Sequence, residues 1–163
     1  MRIFPAENRP SARMEQFMTL ALGFAAKAAS LGETPVGAVV VQGSTVVGTG
    51  YNRVEIDNDP TAHAEMLAIR EAARITGDWR LPDATVYVTL EPCIMCAAAL
   101  LHARVKRLVF GARDDRWGAV GSLFDLSHDP RLNHELEVIS GFMEVEAQQL
   151  LRDFFSGLRT RTT

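Results

Sequence analysis

Runs of β-branched residues alternate with stretches of helical period along most of this chain, and that alternation restricts it to a layered α/β architecture. Val36 to Val41 and Thr45 to Tyr51 are extended runs joined by Gln42-Gly43-Ser44, whose glycine suits the turn of a hairpin. Thr85 to Leu90 (TVYVTL) alternates as a strand, Val105 to Phe110 is a further run ending at Gly111, and Glu135 to Ile139 adds a short last one. From Met14 to Ser30 the apolar positions Met14, Phe17, Met18, Ala21, Ala25 and Ala28 recur every three or four residues, with Gly32 as the stop. A second helix is predicted over Ala62 to Ile75, with Thr61 as its N-cap and Gly77-Asp78 as its break. A third runs from Cys93 to His102 with Pro92 tolerated in its first turn, and a last from Glu144 to Leu158, where Val145, Gln148 or Gln149, Leu151 or Arg152 and Phe155 keep helical spacing. The polar segments Glu55 to Asp59 and Arg113 to Asn133 read as loops. Together these predict one mixed five-stranded sheet covered by helices on both faces, a three-layer α/β/α fold.

Composition narrows the setting. A chain of 163 residues is expected to form one domain with a real core, and its two cysteines cannot build a disulfide framework, which points to a reducing compartment. Met1 to Arg13 lack the apolar stretch of a signal peptide, and no run approaches the ~20 apolar residues of a membrane helix, so a cytoplasmic protein with no membrane contact is expected. Residues 1–12 have no periodicity and read as a flexible lead-in, leaving 13–163 as the single domain. The net charge of −3 argues against wholesale polyanion binding. Five basic residues (Arg104, Lys106, Arg107, Arg113, Arg116) nevertheless crowd one stretch, and with Arg152, Arg159 and Arg161 they are expected to form a local phosphate-facing patch.

Two predicted helix starts hold the reactive residues. His63 and Glu65 open one, and Cys93 and Cys96 open the next, three residues apart and therefore on one face. Helix N-termini favour thiolates, because their unpaired N–H groups carry partial positive charge. Two thiolates and one imidazole make a three-ligand zinc site that leaves a fourth position for water, as in catalytic rather than structural zinc. Glu65 is then placed to take the water's proton without binding the metal, and to pass it to a ring nitrogen and later to a leaving amine, which is hydrolytic deamination. Two other readings stand beside this one. A C-x-x-C between a strand and a helix also describes a redox pair, and His102, His128 or His134 as a fourth ligand would make the zinc structural.

His63-Ala64-Glu65 followed by Pro92-Cys93-Ile94-Met95-Cys96 resembles the H-x-E…P-C-x-x-C signature of the zinc-dependent nucleobase deaminases. Longer segments are similar to the bacterial tRNA-specific adenosine deaminases from Met14 to Arg159: Pro35 to Val40, Asn52-Arg53, Asp59 to Glu65, Tyr87 to Cys93, Val109 to Asp114, Gly121-Ser122-Leu123, Asn133-His134 and Asp153-Phe154-Phe155. The resemblance implies a cytidine-deaminase-like fold and conversion of the wobble adenosine of an arginine tRNA to inosine. It also implies one catalytic Zn²⁺ per subunit and a homodimer that binds the tRNA anticodon stem-loop. Residue by residue it makes His63, Cys93 and Cys96 the ligands and Glu65 the catalytic proton shuttle. Asn52 and the Ala64 N–H become contacts to the base, Val36 and Pro92 walls of its pocket, and Asp114 and Phe155 contacts to the nucleotide or its neighbours. The chain departs from the family at Asp115-Arg116-Trp117 and at Asp129 beside His128, where anticodon contacts are set.

Overall fold

The computed structural model of the chain describes residues 11–161; most of the lead-in read over residues 1–12 lies outside them. In chain order the elements are α1 (Ala12–Ser30), β1 (Gly37–Gln42), β2 (Thr45–Tyr51), α2 (Val54–Asp57), α3 (Ala64–Thr76), β3 (Ala84–Leu90), α4 (Ile94–His102), β4 (Arg107–Ala112), β5 (Glu137–Ile139) and α5 (Glu144–Arg161). The strands form one mixed sheet in the order β2-β1-β3-β4-β5. Strand β1 is antiparallel to both neighbours, while β3, β4 and β5 run parallel. Since β2 and β3 both oppose β1, the carboxyl ends of β2, β3 and β4 all reach one rim of the sheet. Asn52 follows β2 at this rim, Cys93 follows β3, Asp114 follows β4, and Val36 enters β1 there.

Alternation sorts the strand residues between two cores. Ala38, Val40, Val86, Val88, Leu108 and Phe110 pack with α3 and α4, whereas Val39, Val41, Tyr87 and Val109 pack with Met18 and Ala21 of α1 and with Phe142. Helix α3 sits unusually near the sheet. Its buried stripe is Ala64, Ala68 and Ala72, and these face Gly48 and Gly50 of β2, where an added Cβ would lie 2.2 Å from the Ala68 carbonyl oxygen and 2.3 Å from that of Ala64. A carboxylate on the same helix, Glu71, accepts from the Thr49 N–H (2.7 Å) and hydroxyl (3.2 Å), tying α3 to the edge strand. The start of α3, which carries the reactive residues, is thereby fixed against β2 by backbone contact. Among the described residues no helix is long and apolar enough to cross a membrane.

Several sequence expectations shift. Helix α3 begins at Ala64 with His63 as its N-cap, because Thr61 is engaged elsewhere: its N–H (2.8 Å) and hydroxyl (2.7 Å) both donate to Asp59 Oδ1. Part of the polar segment Glu55 to Asp59 is a short helix, closed by Asn58 at φ 49° and stapled by the Arg53–Asp57 pair at 2.8 Å. Helix α4 starts at Ile94, one residue later than expected, with Cys93 as N-cap and Pro92 outside. In α5 the buried residue is Ala147, and Val145 faces solvent. The expected basic patch is divided by the length of β4. Arg104, Lys106 and Arg107 stand at its beginning, on the far rim, with Arg107 paired to Glu137 at 2.9 Å; only Arg113 and Arg116 follow its carboxyl end.

Candidate metal centre and its cleft

Two helix N-termini meet where the carboxyl ends of β2 and β3 open. His63 caps α3 without a side-chain hydrogen bond to it, which leaves the ring free to turn toward Cys93 and Cys96. His63 Nδ1 lies 3.6 Å from Cys93 Sγ and 3.5 Å from Cys96 Sγ, and the three donor atoms all lie within 4.8 Å of one another. Around a tetrahedral zinc with bonds of about 2.3 Å to sulfur and 2.0 Å to nitrogen, an N···S edge spans about 3.5 Å. The donor set and its spacing therefore fit zinc. Among the described residues this trio is the one His/Cys/Asp/Glu group gathered so closely. His134 is not a fourth ligand, since its Nε2 lies 2.7 Å from the Val105 carbonyl oxygen, and His102 and His128 are exposed outside the group. Both cysteines are free rather than joined in a disulfide.

The trio's electrostatics suit metal capture. The Cys96 thiol, hydrogen-bonded to Cys93 and aided by His63, draws Cys93 down to about 4, so it is a thiolate at neutral pH. Cys96 is pushed up by the same contact and by burial. His63 is raised by its bond to Cys93. A metal must displace the protons of this shared network as it binds. Glu65, on the first turn of α3, is 3% exposed, and burial lifts its carboxyl to about 7.

The trio and Glu65 adjoin an open cleft of ≈ 640 Å³. Val36, Asn52, His63, Ala64, Glu65, Cys93, Asp114 and Phe155 all line it, so most of the residues singled out from the sequence converge. Pro92 does not line it; it is buried one residue before the α4 cap, and its carbonyl accepts from the Ala119 N–H at 2.9 Å. Ala64 opens α3, so its N–H has no acceptor within the helix. Asn52 donates from Nδ2 to Glu33 Oε2 at 3.4 Å, while its Oδ1 is buried with no partner among the described residues.

Two buried carboxylates that sequence reasoning passed over hold the cleft's walls. Glu33, 1% exposed, accepts from the Ile56 N–H at 2.7 Å and from Asn52, joining the end of α1 to α2. Glu91, 2% exposed, accepts from the N–H groups of Asp114 (3.1 Å), Val120 (3.2 Å) and Ser122 (3.0 Å) and from the Ser122 hydroxyl. It gathers the loop after β4 around one carboxylate. The available signal was an acid wedged between an apolar strand and a Pro-Cys helix start, a place where a charge must find donors. Trp117, noted in the sequence as a departure, is a cleft residue, as are Phe154 and Leu158 of α5.

Comparison with known proteins agrees with this geometry. Residues 11–112 match the family model of the cytidine and deoxycytidylate deaminase zinc-binding region. A tRNA-specific adenosine deaminase of Haemophilus influenzae is 50% identical over 146 residues, covering 89% of this chain and 84% of its own. A chain solved in structural work on A-to-I editing by tRNA:A34 deaminases, at the wobble position of transfer RNA, superposes with a TM-score of 0.81 at 45% identity, covering 84% of this chain and 99% of that one. The crystal structure of guanine deaminase from Bacillus subtilis is more distant, with a TM-score of 0.59 at 39% identity over 61% of this chain and 64% of its own. With the His63, Cys93, Cys96 and Glu65 corner in place, the chain belongs to the zinc-dependent cytidine and deoxycytidylate deaminase family, in its tRNA-specific adenosine deaminase branch.

Proposed function

We propose that this chain hydrolytically deaminates adenosine to inosine at the wobble position (34) of an arginine tRNA, releasing ammonia. In this reading it acts in the cytoplasm as a homodimer with one zinc per subunit, and the single deaminase domain expected over residues 13–163 takes in Ala12, the first residue of α1, and its cap Ser11 as well. The supporting observation is the convergence of His63, Cys93 and Cys96 beside the buried Glu65 at the floor of an open cleft. The relatives direct the reading to tRNA.

Zinc, held by His63, Cys93 and Cys96, supplies the Lewis acidity that makes a water nucleophilic near neutral pH. Glu65 takes a proton from the attacking water and hands it to N1 of adenine, so the C6–O bond forms at an electrophilic carbon. The same carboxylate then carries the hydroxyl proton to the amino group, the C6–N bond breaks, and ammonia leaves. A group raised to about 7 suits a residue that both takes and gives a proton at neutral pH. Asn52 offers the unpartnered Oδ1, and Ala64 its unpaired N–H, to the edge of the base, while Val36 walls its face. Pro92, expected as a second wall, lies outside the cleft lining, and Asp114 and Phe155 meet the nucleotide at the mouth. An anticodon loop already presents its bases unpaired, so flipping the adenosine down to this floor costs little.

The test uses an anticodon stem-loop with adenosine at the wobble position, read for inosine by reverse transcription. Zinc-loaded wild-type protein is expected to convert it and Glu65→Ala is not. Absence of conversion by the wild type, or equal conversion by both, would contradict the reading. Faster ammonia release from guanine than from the stem-loop would transfer the assignment to the guanine deaminase likeness.

A further inference from the structure

Trp117 stands at the cleft 63% exposed, and its ring makes no aromatic or cation contact among the described residues. The other tryptophan, Trp79, is comparably exposed, but Arg80 covers its ring at 5.1 Å from the centroid. The bare ring is not on a slack segment. Asp114 Oδ1 accepts from the Arg116 N–H (3.0 Å) and the Trp117 N–H (3.2 Å), and the Gly118 N–H donates to the Asp114 carbonyl at 2.9 Å. Gly118 pairs with the backbone of Cys93 and lies so near Glu91 that an added Cβ would be 2.5 Å from its Cδ. The indole is thus carried by a turn fastened to the segment that bears a metal ligand.

We propose that Trp117 is a stacking platform for the unpaired nucleobase adjacent to the one that reacts, and that it selects a single-stranded stretch of nucleic acid over a free nucleobase or nucleoside. This rests on the reading of the chain as an RNA deaminase. Single strands are bound by aromatic faces beside cations. Arg113 and Arg116 lie on the same loop as Trp117, both exposed, and neither takes part in the ion pairs found among the described residues. The cleft has more room than one base fills, and Phe154, Phe155 and Leu158 provide an apolar wall along it. A base seated over Glu65 occupies the floor; its neighbour along the strand meets the mouth, where Trp117 offers the one bare indole.

The test measures kcat and KM of zinc-loaded wild type, Trp117→Ala and Trp117→Phe on three stem-loops: intact, abasic immediately 5′ of the target, and abasic immediately 3′. On the intact stem-loop Trp117→Ala is expected to raise KM about tenfold with little change in kcat, and Trp117→Phe to recover most of it. The penalty should vanish on one abasic stem-loop, which identifies the stacked base. An unchanged KM, or an equal penalty on all three substrates, would overturn the proposal. So would a KM effect accompanied by dimer dissociation in sedimentation, because the ring would then belong to a protein interface. If wild type leaves the intact stem-loop unconverted, the RNA deaminase reading fails and this inference falls with it; conversion that is indifferent to Trp117 removes this inference alone.

Discussion

The floor and the mouth of the cleft are built on opposite principles. At the floor, His63, Glu65, Cys93 and Cys96 lie at or just inside two helix N-termini, and the helix carrying the first two rests on glycines with no room for a methyl group. At the mouth, Trp117, Phe155 and Leu158 project from a loop and a terminal helix and are 63%, 45% and 44% exposed. Backbone packing sets the positions that need sub-ångström accuracy for proton transfer. On the proposed function, side chains that disturb no core would set which substrate reaches them. On that reading the contacts at the mouth can change without loss of the chemistry at the floor.

Substitutions can break this division in order of expected effect. Glu65→Gln should lower kcat on the stem-loop by about 10³-fold, the scale of a lost general acid–base group, with zinc content and melting behaviour unchanged. Loss of zinc in that variant would mean that Glu65 supports the metal rather than the proton. Gly50→Ala attacks the floor through packing alone. Its methyl group would meet the Ala64 carbonyl oxygen at 2.3 Å and the Ala68 nitrogen at 3.0 Å, so α3 must move and carry His63 and Glu65 with it. A destabilisation of about 2–3 kcal/mol in chemical denaturation is expected, with a fall in kcat below the unfolding transition. Full kcat in the folded fraction would show that the seating of α3 does not position the site.

Glu91→Gln sharpens the contrast from the other side. It places an amide where a carboxylate accepts from Asp114, Val120 and Ser122, loosening the mouth while Cys93 and Cys96 remain. A cost of about 1–3 kcal/mol is expected. The kinetic effect should fall mainly on KM, by a smaller factor than the kcat loss of Glu65→Gln. A kcat loss as large as that of Glu65→Gln would mean that floor and mouth are one unit.

The same division explains what could be read before any fold was known. The gathering of His63, Cys93 and Cys96 beside Glu65 was legible because a metal site draws on few donor types and helix geometry limits their spacing, and the layers were legible because strand and helix periods differ. Thr61 misled as a cap because its hydroxyl had a nearer acceptor in Asp59. The basic cluster misled because residues close in sequence are carried to opposite rims by an extended β4 of six residues. Glu33 and Glu91 were missed for a common reason: their donors come from backbone many residues away, such as Ile56 and Ser122, and no local pattern announces such a pairing.

The most direct test of the floor is zinc content together with X-ray absorption at the zinc edge on the wild-type protein. The expected result is one zinc per chain with two sulfur ligands at about 2.3 Å and two lighter donors at about 2.0 Å, one of them exchangeable solvent. A second protein nitrogen in place of the solvent, closing a four-ligand protein shell, would make the zinc structural. A metal-free protein with a reversible Cys93–Cys96 disulfide would contradict the deaminase chemistry altogether.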